Sequence, residues 1–344
     1  MGFEIKRNLP SPAEMIEKVP LPSELKAIKT RRDEELSKIV KGEDKRFLLV
    51  IGPCSADDED AVIEYTTRLA KVYEKVKDKL FIVPRIYTNK PRTTGEGYKG
   101  MLHQPDPESP PNMQDGIMAI RKMHVRCIKE TGLTAADEML YPDNLVYCQD
   151  LLGYIAIGAR SVENQQHRLT SSGVDIPVGM KNPTSGDISV MLNAIQAAQS
   201  AHNFIYRNDE VETKGNPLTH AIMRGFVNHH GEDLPNYHYE DLDKTVEMYE
   251  ARGLQYPMIV VDCNHANSGK KFKEQPRIAK DILYTRNHNE KMKNVVKGLM
   301  IESYLKEGRQ NLGEGIYEHG RSITDPCLGW EDTKALIEYI AENV

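Results

Sequence analysis

The sequence predicts a (β/α)8 barrel with an N-terminal helical extension. Three observations predict it. Eight short β-rich apolar runs recur along the chain, most of them separated by stretches long enough for a helix. No Gly-, Ser- or Pro-rich linker and no internal repeat divides the 344 residues. Strands alternating with helices pair in parallel through βα units, and one barrel plus an addition accounts for the length. A doubly wound open sheet is the main alternative. The expected division is an interface or regulatory extension over residues 1–45 and a catalytic barrel over 46–344.

The elements follow in order. Ser11-Pro12-Ala13-Glu14 reads as a helix start, with Ser at the N-cap, Pro at N1 and Glu at N3 reaching back. A second helix is expected over 23–40: Leu25, Ile28, Leu36, Ile39 and Val40 form its apolar stripe and Gly42 ends it. Strands are expected at 47–52, 80–87, 134–139, 154–160, 177–181, 203–207, 258–263 and 295–303, and helices at 60–75, 114–131, 144–152 and 189–201. Residues 88–113, 208–219 and 305–329 are too long for plain βα turns; the second is expected to hold a hairpin, and such loops are usually functional.

Composition narrows the function. With 51 acidic and 45 basic side chains the net charge is −6, against general nucleic-acid binding. Hydrophobic residues at 39% and charged residues at 28% are those of a globular protein rather than a disordered or fibrous one. No apolar run is long enough to span a membrane, and the N-terminus lacks the apolar core of a secretory signal. The five cysteines are widely spaced with no CxxC, so neither a disulfide framework nor a zinc ribbon is expected. A cytoplasmic enzyme is the expectation.

Barrel enzymes work at the C-terminal ends of their strands. Those ends carry Gly52-Pro53-Cys54-Ser55, Arg85, Lys90, Arg92, Glu138, Arg160, Lys181, Arg224, Asp262-Cys263-Asn264-His265 and Glu302. Each alone has a bland reading, as a solvated charge or a satisfied core residue; the weight lies in their coincidence. The cations Arg85, Lys90, Arg92, Lys99, Arg160, Lys181 and Arg224 would repel one another unless a substrate brings negative charge. Guanidinium forks and ammonium points suit phosphate and carboxylate. Cys54, His265, Glu302 and Asp325 mix soft and hard donors, which suits Mn, Fe, Co or Zn rather than Ca. Gly95–Gly100 matches GxGxxG, but prolines 105, 107, 110 and 111 follow where a dinucleotide site needs a helix, so a Rossmann turn is rejected. His229-His230 and the run 291–297 are expected to be solvated, and Met118 and Met123 to pack a helix.

The motifs IGPCS, PRIYTNKPRTTGEGYKG, GAR with QQHR, PVGMKNPTSG, MRG, DCNHANSGKK, LMIESYL and SITDPCLGWEDT run in order from Ile51 toward the C-terminus. In them the chain resembles the class I, aromatic-amino-acid-sensitive 3-deoxy-D-arabino-heptulosonate 7-phosphate (DAHP) synthases. The resemblance implies a (β/α)8 barrel that condenses phosphoenolpyruvate with erythrose 4-phosphate at the start of the shikimate pathway. It implies one divalent metal on Cys54, His265, Glu302 and Asp325. It implies phosphoenolpyruvate contacts from Arg85, Lys90, Arg160, Lys181 and Arg224, with the Gly158-Ala159 backbone near the phosphate. Arg92 and Thr93 match erythrose 4-phosphate contacts and Glu138 an acidic rim residue. Lys90 is the candidate proton donor, its pKa expected to be lowered by neighbouring cations; metal-bound water or His265 are the alternatives.

The resemblance also implies a homodimer or homotetramer and feedback by an aromatic amino acid near Asn8-Leu9, 141–146 and Asp175-Ile176. The residues there do not select Phe, Tyr or Trp, and Gly95–Gly100 is one residue longer than the enteric pattern. Cys54 and Cys327, both in metal-loop motifs, form a candidate oxidation pair. Rival readings are another phosphoenolpyruvate–sugar condensing enzyme, making an octulosonate 8-phosphate or a sialic acid, and a catalytically dead regulatory barrel.

Overall fold

The computed structural model describes residues 2–90, 95–313 and 316–344. Its centre is eight parallel strands: β1 (Phe47–Gly52), β2 (Leu80–Pro84), β3 (Ala136–Glu138), β4 (Tyr154–Ile157), β5 (Val178–Lys181), β6 (Thr219–Met223), β7 (Ile259–Asp262) and β8 (Val296–Glu302). Their order is β2-β1-β8-β7-β6-β5-β4-β3. A parallel bridge between Arg85 and Ala136 joins the two ends, and the Ile86 N–H donates to the Ala136 carbonyl at 2.9 Å. The sheet is therefore a closed barrel, not the doubly wound alternative.

Period-two alternation builds its two shells. In β1, Leu48 and Val50 join Phe81, Val83, Tyr154, Ala156, Ile222, Val260 and Met300 in the interior. Phe47, Leu49 and Ile51 belong to the outer cluster with the helices. Each such buried side chain contributes roughly 1.5–3 kcal/mol of hydrophobic free energy.

The extension forms two helices. In α1 (Pro12–Lys18) the Ser11 and Glu14 side chains complete the capping box, and α2 (Ser23–Lys41) ends on Gly42 at φ 82°. Leu36, Ile39 and Val40 of α2 share the interior cluster, so this helix covers the N-terminal mouth. Arg32 fixes it there: its Nη2 donates to the Ile82 carbonyl at 2.6 Å and its guanidinium lies 4.3 Å from the Phe81 ring centroid. On the outside, α3 (Glu59–Val76) packs against α4 (Met113–Thr131).

Three expectations are corrected. The sixth barrel strand is not 203–207 but Thr219–Met223, buried along its whole length. Asn203–Tyr206 instead pairs antiparallel with Asp209–Glu212 in an outer hairpin; Phe204 and Tyr206 take its half-buried side while Ile205 is exposed, and this apolar run mimics a barrel strand in sequence. The helix expected at 144–152 is only one turn, Pro142–Leu145. Lys297 is not a freely solvated charge: it is partly buried and its Nζ donates to the Val40 carbonyl at 2.8 Å. His229 and His230 are exposed, and 101–111 contains no helix.

Candidate active site

Register delivers the site. Gly52 lies opposite Glu302 across β1 and β8, and a Cβ at Gly52 would stand 2.4 Å from the Arg85 carbonyl oxygen, so only glycine lets β1 and β2 approach this closely. Cys54 follows immediately, fully buried. One ligand atom each from Cys54, Glu302 and Asp325 lies within 4.8 Å of the others. Cys54 Sγ donates to Asp325 Oδ2 at 3.4 Å. His265 brings Nε2 to 3.9 Å from Glu302 Oε1, and its Nδ1 is 2.8 Å from Asp262 Oδ2. Three residues of the expected metal set thus converge, and His265 stands beside them through Glu302.

Their chemistry fits a first-row divalent ion. Burial, with Asp262 opposing, holds the His265 imidazole below its ordinary pKa, which favours the neutral, ligating form. Burial and the Glu302 carboxylate push the Cys54 thiol up to about 11; a divalent cation inverts that preference and deprotonates a coordinating thiol. His265 takes a left-handed backbone at φ 51°, the kind of local strain found at functional sites.

Outer contacts aim these ligands. Asn264 Nδ2 donates to Glu302 Oε2 at 2.6 Å, and the Asn264 N–H donates to Asp262 Oδ1 at 3.0 Å. The loop after β8 is tied across the mouth by Ser55 Oγ and Thr324 Oγ1 at 2.9 Å and by the Cys54 N–H on Cys327 Sγ at 3.4 Å. Bridges Ser303–Leu328 and Gly308–Cys327 brace the same loop.

The cations surround this centre. Arg85 is 1% exposed; its Nη2 is 2.7 Å from Glu302 Oε1 and its guanidinium stacks 3.8 Å from the Tyr87 ring centroid. Burial opposes its charge, but Glu302, Tyr87 and Cys54 outweigh burial and raise its pKa. Lys90 Nζ donates to the Cys54 carbonyl at 2.8 Å and to Cys54 Sγ at 3.0 Å. Here the expected sign is corrected: burial lowers the Lys90 pKa, but Cys54, with Glu302 and Asp325, raises it above the ordinary value despite Arg85. Lys181, 3% exposed, pairs with Asp262 at 3.2 Å. Arg224 is 8% exposed and its Nη1 has no hydrogen-bond partner among the described residues. Burial lowers its pKa, and nearby Arg160 pushes the same way. Asp262 opposes that shift, but a buried Nη1 without a hydrogen-bond partner beside a second guanidinium suits an anion.

Arg160 itself is exposed at the rim, and Lys99 is half-buried. Glu138 borders Gly158, whose Cβ would meet Glu138 Oε1 at 2.6 Å. Arg92 and Thr93 lie outside the described residues. Sequence reasoning singled out the candidate donors but missed the residues that hold them. Asp262 and Asn264 stand in the same DCNH segment as His265, and an Asp three residues before a ligating His was the available signal.

Comparison with known proteins agrees with this architecture. The family model described as the DAHP synthetase I family matches residues 22–338. Phospho-2-dehydro-3-deoxyheptonate aldolase of Haemophilus influenzae is 39% identical over 339 residues, covering 97% of this chain and 91% of that protein. The Phe-sensitive enzyme of that name from Escherichia coli is 40% identical over 347 residues, covering 99% and 95%. The structure of phospho-2-dehydro-3-deoxyheptonate aldolase from Francisella tularensis superposes with a TM-score of 0.92 at 32% identity, over 100% of this chain and 98% of that one. With the closed barrel, the converging donors and the buried cations already in hand, the match across nearly the whole chain makes it a member of the DAHP synthetase I family.

Proposed function

We infer that the chain condenses phosphoenolpyruvate with D-erythrose 4-phosphate and water to give DAHP and phosphate, the first step of the shikimate pathway. The observation that carries this is the pairing of a thiol–dicarboxylate group, with His265 beside its Glu302, with a shell of buried cations, among them Arg224, whose Nη1 has no hydrogen-bond partner among the described residues. Arg160, Lys181 and Arg224 fit the phosphate of phosphoenolpyruvate, with the Gly158-Ala159 backbone beside it. Arg85 and Lys90 sit nearer the metal-ligating residues and fit its carboxylate end. Arg92 and Thr93 are the proposed erythrose 4-phosphate contacts, and Glu138 borders the same rim.

Cys54, His265, Glu302 and Asp325 would hold one divalent ion, which when bound supplies Lewis-acid polarisation of the aldehyde oxygen. C3 of phosphoenolpyruvate attacks that carbonyl, water adds at C2, and phosphate leaves by C–O cleavage. Lys90 is the proposed proton donor to the new alkoxide: its contacts keep it charged, so it carries a proton to give, and Cys54 fixes where its ammonium points. His265 remains the alternative donor.

Feedback by an aromatic amino acid fits a pocket of about 370 Å3 lined by Phe204, Tyr206, Ser172, Asp175, Thr213 and Lys214. Association into dimers or tetramers fits the exposed Phe3, Ile5 and Ile205, on the N-terminal segment and the outer hairpin; residues 1–45 would then serve as an interface extension. A cytoplasmic setting fits five buried, free cysteines.

The test is an aldose panel. Phosphoenolpyruvate loss is followed with erythrose 4-phosphate, arabinose 5-phosphate or N-acetylmannosamine, each with and without Phe, Tyr or Trp. Loss with erythrose 4-phosphate alone is expected. Preference for another aldose would select a rival condensing enzyme, and inertness toward all three would select the dead barrel.

A further inference from the structure

Lys90 stands past the end of β2, on a segment with no regular structure from Ile86 to Lys90. Contacts outside any ladder must therefore fix it, and Thr88 is where they meet. The Thr88 N–H donates to Asp137 Oδ1 at 2.9 Å, its hydroxyl donates to Asp137 Oδ2, and its carbonyl accepts the Leu102 N–H at 3.2 Å. Thr88 Oγ1 also accepts from Asn89 Nδ2 at 3.2 Å. Lys90 follows directly on Asn89, and its ammonium reaches the Cys54 carbonyl and Sγ.

Asp137 is the middle residue of β3 and is 2% exposed. Ala136 before it belongs to the barrel interior, so the strand's alternation turns Asp137 outward, toward α4. There His124 Nε2 is 3.9 Å away, beyond hydrogen-bond reach. Among the described residues no Lys or Arg pairs with Asp137. Its carboxylate goes instead to Thr88 and to the Glu138 N–H, which donates to Oδ1 at 2.7 Å. All three groups facing its oxygens are donors, as the acceptor-only ionised form requires. A buried carboxylate needs such answers, and bonds to an ionised acceptor are short and strong, so Asp137 grips Thr88 firmly.

We propose that Asp137 is a positioning residue for the reaction: through its two contacts with Thr88 it sets where the Lys90 ammonium stands, without itself contacting the reacting groups. The same carboxylate fixes the Glu138 backbone, so one group ties the Lys90 segment to the end of β3. A misplacement of about 1 Å in a reacting group can cost about 100-fold in rate. The kinetic part of the proposal rests on the condensation and on the role of Lys90 inferred above; the labelling part does not.

Trace acetylation of the metal-loaded full chain, read by peptide mapping, reports how firmly each amine is held. Asp137→Ala and Thr88→Val cut the link from its two sides. Each raises labelling of Lys90 at least about threefold, while Lys280, exposed on the helix Gln275–His288, is unchanged. Thr88→Ser keeps the hydroxyl and labels as wild type does. In turnover, Asp137→Ala lowers kcat about tenfold or more; in a Lys90→Ala background it costs less than about twofold, because no ammonium is left to misplace. A merely structural role would lower kcat by the same factor in both backgrounds. If Asp137→Ala does not fold, Thr88→Val carries both measurements. A wild type without turnover would sink the condensation, and labelling would still decide this proposal. It is overturned if Lys90 labelling does not rise in the folded variants, if Thr88→Ser labels like Thr88→Val, or if kcat falls equally in the two backgrounds.

Discussion

Asp262 is the residue on which the site's electrostatics converge. It is completely buried and meets Lys181 Nζ at 3.2 Å, His265 Nδ1 at 2.8 Å and the Asn264 N–H at 3.0 Å. Burial opposes its charge, but His265, Lys181 and Arg85 together hold its carboxyl far below the ordinary range. Asp262→Asn keeps the shape and the acceptor for Asn264 but removes the charge that answers Lys181. At 3.2 Å and an effective dielectric of about 20, the lost attraction is roughly 5 kcal/mol before relaxation. Breaking one side of a buried pair costs about 3–5 kcal/mol net. At about 2–3 °C per kcal/mol, the melting temperature should fall by roughly 6–15 °C. His265 also loses its orienting carboxylate, so metal affinity should drop about 10–100-fold. Calorimetry and equilibrium dialysis against Mn(II) read the two effects separately. Adding Lys181→Met should restore at least about 2 kcal/mol, because the unpaired ammonium is gone.

The pH dependence has a definite sign. A carboxyl depressed in the folded state contributes stability above its unfolded pKa, near 4, and loses it as pH falls below that value. The stability gap between wild type and Asp262→Asn should therefore be full above about pH 4, begin to narrow below it, and close only as pH falls through the far lower folded-state pKa. The reasoning is refuted if Asp262→Asn lies within about 1 kcal/mol of wild type at pH 7 and binds metal equally well.

Three further outcomes follow. Lys90→Ala should lower kcat by about 100-fold or more, as loss of a general acid does; a raised KM with kcat intact would leave Lys90 a binding group only. Gly52→Ala drives a methyl into the Arg85 carbonyl at 2.4 Å and should cost about 1–3 kcal/mol in urea unfolding; a neutral effect would show that the close approach is not required. Air oxidation of the metal-loaded protein should join Cys54 to Cys327, whose Sγ lies 3.4 Å from the Cys54 N–H; peptide mapping should find that disulfide, and activity should return with thiol reductant but not in its absence.

Much of the fold was legible because its signals are local. The Ser11–Glu14 capping box and Gly42 mark helix ends by side-chain chemistry within one turn. β1 and β2 are continuous apolar runs, and β7 is one up to its final Asp262, because both their faces are buried. The sixth strand was missed for the opposite reason. Thr219 and His220 dilute its apolar signal, yet His220 is buried against the Tyr154 hydroxyl at 2.8 Å, a contact 66 residues away in sequence. The hairpin 203–212 has a stronger β signature and almost no part in the core.

Several candidate site residues were legible one by one, since Lys181 and Glu302 end strands and Cys54, Arg85 and Arg224 follow one within two residues. Their couplings were not. The Lys90 pKa runs opposite to the expected direction because its nearest neighbours are Cys54 and two carboxylates rather than other cations alone. Asp262 and Asn264 act through residues that tertiary structure brings to them: Lys181 across 81 positions and Glu302 across 38.

The central claim is a metal-dependent condensation at this centre. Its most direct measurement is the stoichiometry of phosphoenolpyruvate loss and phosphate release in the purified protein, with and without erythrose 4-phosphate, and before and after removal of metal by chelator. Equal loss and release that need the aldose, stop on chelation and return with Mn(II) are the predicted result. Release of phosphate without erythrose 4-phosphate, or full activity in metal-free protein, would contradict the account.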